Sequence, residues 1–379
     1  MKKLRNLIPA LATGVLLTAA ACGNNSQKAP VEEKQLSALY STDNLSSQKY
    51  QVDPNRDTLL RGESGTVLRI YKNTFVDGSG KPVTSSVEVE LKEALHPDDI
   101  VFANLTTTSD GRPLQTGGMI RVGATSNGQE VEIAGGKAIG VILPQGVMLE
   151  NMQVYKGVET AEGINWIEPE PTLNKDVEQL MNKPKQPKAR KQEVVGQPND
   201  LDALFDYVDS ETAGMQEATQ DAKENKNAGE VNPFAREVAV KGINVGNEDL
   251  KTSYIFEMKK LGWANIDRLY EDPRTQEVEL ITQVSNRSEF KEVYITMVMS
   301  GMYLPGYEMK SGNFSFAHGD YEKQQLPVGQ KGIVFATAYK DNVPYFALVP
   351  VTIQSAQTLT LDLKKTTEEK LKAELKSKL

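Results

Sequence analysis

The sequence predicts a mainly β protein: two antiparallel β-sandwich-like domains joined by a partly helical linker, with a C-terminal helix. Three observations carry this. Short runs of alternating apolar and polar residues fill two separate stretches, 58–169 and 233–363. Clusters of Gly, Asn and Asp punctuate them at the spacing of strand-to-strand turns. The stretch between, 170–232, is polar and has helical rather than alternating spacing.

The chain of 379 residues opens on Lys2, Lys3 and Arg5, then an apolar run from Leu7 to Leu17, then Ala19, Ala20, Ala21 and Cys22. Charge, a short apolar run and small residues in that order make a signal peptide over 1–21. The run is too short to cross a bilayer comfortably as a helix. A cysteine directly after the small residues resembles the bacterial lipobox, with Ala19 where leucine is usual. The resemblance implies cleavage before Cys22 and lipid on its thiol. Cys22 is also the only cysteine, which leaves no thiol for a disulfide, a nucleophile or a zinc site. Residues 22–57 are polar and weakly patterned and read as a flexible tether. Leu36, Leu39 and Tyr40 match one helical turn there, with nothing in the sequence to sustain it.

In the first β region Val87, Val89 and Leu91 alternate with Glu88, Glu90 and Lys92, the pattern of a strand with one wet face. Turns are expected at Asp77-Gly78-Ser79-Gly80, Ser109-Asp110-Gly111, Asn127-Gly128 and Gly135-Gly136. In the linker, Leu173, Val177, Leu180 and Met181 form a short helical stripe that Pro184 and Pro187 end. A second stripe, Leu201, Leu204, Phe205 and Val208, follows Asp200 as its cap. The second β region has its strongest strands at 254–258, 278–284, 293–299, 333–338, 345–353 and 358–363. The last segment, 364–379, is helical, with Leu371, Leu375 and Leu379 in register. Glu368 and Glu369 near its start and lysines near its end suit the helix dipole.

The net charge of −8 becomes more negative once Lys2, Lys3 and Arg5 are removed, which disfavours nucleic acid as a partner. No later run approaches the ~18 apolar residues of a spanning helix. The expected membrane contact is therefore the lipid on Cys22. No acidic run follows Cys22, which favours the periplasmic side of the outer membrane over the cell surface.

Several segments resemble uncharacterised lipoproteins of Gram-negative envelopes that carry a ZU5-like β-sandwich. In the first region they are Asn73-Thr74-Phe75-Val76-Asp77, Asn104-Leu105-Thr106-Thr107 and Leu114-Gln115-Thr116-Gly117-Gly118-Met119. In the second, Gly262-Trp263-Ala264-Asn265-Ile266-Asp267-Arg268 looks like a signature of the same proteins. They usually have Cys where Ile266 stands and an aromatic where Leu269 stands. The resemblance implies interaction or scaffold modules and no established activity.

Candidate chemistry is sparse. His96 and His318 fall in different domains, each in a turn-like context, and Gly-x-Ser-x-Gly is absent. No catalytic residue, metal site or cofactor is assigned. Gln115-Thr116-Gly117-Gly118-Met119 lacks the Lys-Ser/Thr of a phosphate loop, so a bulge or tight crossing is expected. One cluster remains as a candidate ligand or partner site: Trp263, Asn265, Asp267 and Arg268. Its structural alternative is a packed Trp263, with Asp267 and Arg268 pairing locally. The functional expectation is a noncatalytic adaptor or binding module for another envelope protein. The alternative is a glycan-binding or glycan-processing lipoprotein, which requires Trp263 in an open groove with facing carboxylates.

Overall fold

A computed structural model describes residues 35–145, 148–160, 163–182, 232–241, 247–317 and 323–379. The expected signal peptide over 1–21, Cys22 and the expected helical stripe Leu201–Val208 lie outside them. The described residues form two β-sandwiches, the mainly β architecture that the sequence predicts.

The first sandwich has a large sheet in the order Gln48–Val52, Val87–Ala94, Arg112–Ser126, Gly262–Leu269, Gln153–Thr160 and Gly163–Pro171. Its facing sheet runs Ser253–Met258, Ile139–Pro144, Val67–Ile70 and Thr58–Arg61. Val87, Val89 and Leu91 are fully buried and Glu88, Glu90 and Lys92 half-buried, so the period-2 pattern is realised. These side chains meet Leu68, Ile70, Val141, Leu143 and Phe256 from the facing sheet. On that facing sheet the alternate residues Val67, Ile142 and Ile255 point outward, and three helices cover them: Asn174–Asn182, Pro233–Lys241 and Asn247–Lys251. The first is the predicted Leu173–Met181 stripe, with Val177 buried. Asn174 seals the sheet edge by copying a strand: its Nδ2 donates to the Ser253 carbonyl at 2.8 Å, and its Oδ1 accepts from the Ile255 N–H at 3.0 Å.

The second sandwich pairs Met302–Pro305, Val293–Met299, Lys331–Lys340, Val343–Thr352 and Lys364–Lys365 in one sheet. Thr275–Val284 is the centre of the other, with Lys323–Pro327 and Phe314–Ser315 antiparallel to it. Ala356–Leu361 lies parallel to it, the one departure from antiparallel pairing in this sheet among the described strands.

Two expected boundaries are corrected. Ser253–Met258 and Gly262–Leu269, placed by sequence in a second domain starting at 233, belong to the first sandwich. Gly262–Leu269 lies in the middle of the large sheet, between Arg112–Ser126 and Gln153–Thr160. The second sandwich therefore begins near Thr275. The tether expected over 22–57 also ends early: Gln48–Val52 is an edge strand paired to Val87–Leu91, and Leu36–Leu39 is a helical turn.

The sandwiches meet across a continuous apolar seam. Ala94, Leu114, Met119, Tyr155 and Trp263 come from the first large sheet, and Tyr303, Phe335 and Phe346 from the second sandwich. Leu36, Leu39 and Tyr40 enter from the N-terminal turn, and Ile100 and Val101 from helix Pro97–Phe102. The C-terminal helix Glu368–Lys378 is capped by Thr367 and inserts Leu371 and Leu375, both 0% exposed. Its Lys376 pairs with Asp98 at 3.0 Å and its Lys372 sits over the Phe102 ring.

Candidate functional site

Strand alternation sorts the four candidates. Trp263, Asn265 and Asp267 share one face of Gly262–Leu269 and point toward the seam, while Ala264 and Ile266 point into the first core. Trp263 is 4% exposed and packs in the seam cluster with Trp166. Gly157 lies so close that a Cβ there would sit 2.6 Å from the Trp263 Cβ. Trp166 is fully buried and its indole N–H donates to the Thr106 carbonyl at 2.6 Å.

Asn265 and Asp267 are both 0% exposed. The Asn265 amide donates to Asp267 Oδ2 at 2.7 Å, the Thr116 hydroxyl donates to Asn265 Oδ1 at 2.8 Å, and the Gly118 N–H donates to the Thr116 hydroxyl at 2.9 Å. Asp267 Oδ1 has no hydrogen-bond partner. Burial pushes this carboxyl well above the usual range, and the Thr116 hydroxyl and Asn265 amide beside it pull it back only in part.

Arg268 faces the other way. Its guanidinium donates twice to Gln115 Oε1, at 3.0 and 2.8 Å, and once to the Glu150 carbonyl. The expected local pairing of Asp267 with Arg268 is not formed, because neighbours on a strand point to opposite faces. Gln115 in turn donates to the Ser300 carbonyl of the second sandwich at 2.8 Å. Arg268 thus braces a residue that grips the other domain.

The Gly-rich segment is the bulge expected from sequence. Asn265 pairs with Met119 and Asp267 with Thr116, so Gly117 and Gly118 together oppose the single residue Ile266. A Cβ on Gly117 would lie 2.7 Å from Tyr254 Cε2, and Gly118 has φ +123°, which favours glycine. Beside the bulge the domains exchange main-chain bonds. The Thr116 N–H donates to the Gly301 carbonyl at 3.0 Å, the Thr107 N–H to the Tyr303 carbonyl at 3.1 Å, and the Tyr303 N–H to the Thr107 hydroxyl at 2.8 Å. Three of the segments singled out by resemblance therefore meet at one place, the junction between the sandwiches.

Sequence reasoning missed the other half of this junction. Ser300 and Gly301 form a two-residue turn with φ of +48° and +75°. Tyr40 stacks on Tyr294 with ring centres 4.0 Å apart, and its hydroxyl shares a 2.7 Å hydrogen bond with that of Thr337. The alternation of Trp263, Asn265 and Asp267 was a usable signal that all three share a face; the helical spacing of Leu36, Leu39 and Tyr40 marked the turn but not the second-sandwich partners that hold it. His96 caps helix Pro97–Phe102 by position and makes no side-chain capping bond, and His318 lies outside the described residues.

At the rim of the junction the domains leave a cleft of about 540 Å³, lined by Leu95 and Thr116 from the first sandwich and by Val298 and Lys331 from the second. A second cavity of about 580 Å³ adjoins it, sharing Leu95 and Gln145. Two sandwiches with a hydrogen-bonded junction and a cleft at its rim make a mainly β protein. Comparison with known protein families, curated proteins and solved structures finds no match.

Proposed function

We propose that this chain is a lipid-anchored envelope lipoprotein, cut before Cys22, whose two docked sandwiches serve as a noncatalytic adaptor for another envelope protein. The observation that supports it most is the burial of Trp263, Asn265 and Asp267. A glycan site would need them open to solvent; here they join two domains. The resemblance to ZU5-like lipoproteins points the same way, and three of its segments meet at the junction. No described helix is long and apolar enough to cross a membrane; in this reading acyl chains on Cys22 make the attachment. The first described residue is Gln35, and residues 23–34 can span at most about 40 Å by chain length alone. The adaptor is thereby kept close to the outer membrane, on its periplasmic side.

Two experiments test this. Cys22→Ser is expected to shift the protein from the membrane to the soluble fraction; retention in the membrane refutes the anchor. Affinity purification from crosslinked native membranes, with a tag inserted in 210–230, is expected to recover one or two specific envelope proteins. Their loss on deleting either sandwich supports the adaptor, and a preparation without protein partners refutes it.

A further inference from the structure

Several sheet edges in this protein are blunted. Gln48–Val52 carries Lys49, Lys323–Pro327 begins on a lysine and ends on a proline, Gly163–Pro171 holds Pro169 and Pro171, and Asn174 seals Ser253–Met258. Ala356–Leu361, an outer strand of the second sandwich, has none of these devices. Its sequence Ala-Gln-Thr-Leu-Thr-Leu holds no charge and no proline, and its register with Glu279–Val284 runs unbroken. The Ser355 carbonyl accepts from the Glu279 N–H and the Leu361 carbonyl from the Ser285 N–H, both at 2.9 Å. Alternation then turns the main chain of Gln357 and Leu359 toward Thr275–Val284, and that of Ala356, Thr358 and Thr360 away from it. Those three residues are exposed, and their N–H groups have no hydrogen-bond partner among the described residues.

This edge is complementary to itself. The outward residues Ala356, Thr358 and Thr360 are centred on Thr358. A copy laid antiparallel about a two-fold axis at Thr358 sets Thr358 opposite Thr358 and Ala356 opposite Thr360. Each opposed pair exchanges both N–H···O bonds, so all three open N–H groups of each copy are satisfied together. The antiparallel direction also sets the exposed Asp362 at one end beside the uncharged Gln354–Ser355 end of the copy, away from its own equivalent. In a chain of net charge −8, this neutral strip lets two copies meet without opposed carboxylates. Ile281 pairs with Thr358 in register and is half-buried. Two-fold pairing therefore builds a row of Ile281, Thr358, Thr358 and Ile281 across one face, and β-branched neighbours of this kind stabilise cross-strand pairs.

We propose that Ala356–Leu361 is a self-association edge: two copies of this chain pair it antiparallel about Thr358 and join their second sandwiches into one continuous sheet. The seam with the first sandwich uses Tyr303, Phe335 and Phe346 from the other sheet of the second sandwich, so pairing leaves the seam untouched. The dimer goes beyond the adaptor reading and does not depend on it.

Cys22 is the only native cysteine, so introduced cysteines read the register. Opposed residues of a hydrogen-bonded antiparallel pair have Cα atoms about 5.5 Å apart, within reach of a disulfide. Full-length T358C in its native membranes, oxidised with copper phenanthroline, should give a disulfide-linked band at twice the chain mass, and so should A356C/T360C. T360C alone should give about ten-fold less, because Thr360 and its equivalent lie four residues out of register, about 13 Å apart. The wild type measures any band owed to Cys22. T358P removes an N–H that has no partner within one chain, so the fold should stand by circular dichroism while the A356C/T360C band falls about ten-fold. T358K, which keeps the backbone and sets two ammonium groups opposite each other, should lower that band in the same way. Equal bands from T358C and T360C, no band from either T358C or A356C/T360C, a band that mass spectrometry shows to hold another protein, or an A356C/T360C band unmoved by T358P and T358K would each overturn the dimer. Partner proteins recovered by affinity purification from a chain that gives no such band would overturn the dimer and leave the adaptor.

Discussion

Replacing Tyr40 by alanine tests whether the N-terminal segment is structural cement or tether. Tyr40 is 4% exposed, stacks on Tyr294 at 4.0 Å with an interplanar angle of 19°, and lies 6.0 Å from the Phe102 ring. Truncating a buried large aromatic to alanine costs about 3–5 kcal/mol. Within that, the stacked pair contributes about 0.5–1.5 kcal/mol beyond area. The lost hydroxyl leaves buried Thr337 without its partner, at about 1–3 kcal/mol. Tyr40→Ala should therefore cost about 4 kcal/mol, and Tyr40→Phe, which removes only the hydrogen bond, about 1–2 kcal/mol. The assay is equilibrium unfolding in guanidinium chloride, followed by tryptophan fluorescence and by far-UV circular dichroism. Both tryptophans sit in the seam cluster, so their emission reports its opening, whereas circular dichroism reports both sandwiches. In wild type the two signals should coincide; in Tyr40→Ala the fluorescence transition should move to lower denaturant first. A Tyr40→Ala protein within about 0.5 kcal/mol of wild type, with coincident transitions, would refute the claim that residues 35–45 hold the seam.

Two further predictions concern the bulge and the buried acid. Gly117→Ala places a methyl 2.7 Å from Tyr254 Cε2 and 3.0 Å from Met152 Cε, so it should cost about 1–3 kcal/mol, while Gly78→Ala, with nothing within 4 Å, should be near neutral; thermal melting compares them. Asp267 has its folded pKa raised by burial, so its native form holds the proton more tightly than the unfolded chain. Its stability contribution is present below the unfolded carboxylate value and is lost as pH rises through the folded value. Asp267→Asn cannot lose it, so the variant should gain on wild type in melting temperature as pH rises from about 4. A difference that runs the opposite way, or none at any pH, would contradict the buried, half-satisfied carboxyl.

Much of the fold was legible because it is local. Val87 to Lys92 declares a strand by alternation alone. Asn127-Gly128 announces a hairpin, and both residues adopt the positive φ, +51° and +75°, that such a turn requires. The double glycine was legible as a bulge because two adjacent residues without Cβ inside an apolar run have few other uses. Domain membership was not legible. Gly262–Leu269 reads as a strand whichever sheet it joins. Its partners, Arg112–Ser126 and Gln153–Thr160, lie about 100 residues or more upstream, and no spacing rule reaches that far. The linker before it looked like a boundary because it is polar, although the chain returns across it to complete the first sheet. The turn ending at Tyr40 was legible as spacing but not as cement, because what holds it lies far along the chain: Phe102, Tyr294 and Thr337. The Trp263 cluster was legible as conspicuous, and its role was decided by a surface that only the second sandwich supplies.

That surface also bears on how the two sandwiches work together. Domains linked in one chain move relative to each other by default, unless their interface is large and apolar. Here Tyr40, Trp166, Trp263, Phe335 and Leu371 are all buried in one cluster, and main-chain hydrogen bonds cross beside it. The N-terminal turn, helix Pro97–Phe102 and the C-terminal helix each insert into the seam, so separating the sandwiches would expose apolar surface on all of them. The rim groove takes Gly117 and Leu95 from one sandwich and Lys331 and Ile333 from the other, and therefore exists only while the seam is closed. Any segment bound there adds to the docked state alone and tightens the seam by mass action. Tyr40→Ala, remote from the groove lining, should then loosen the groove along with the seam, whereas a substitution at exposed Lys331 should leave stability unchanged.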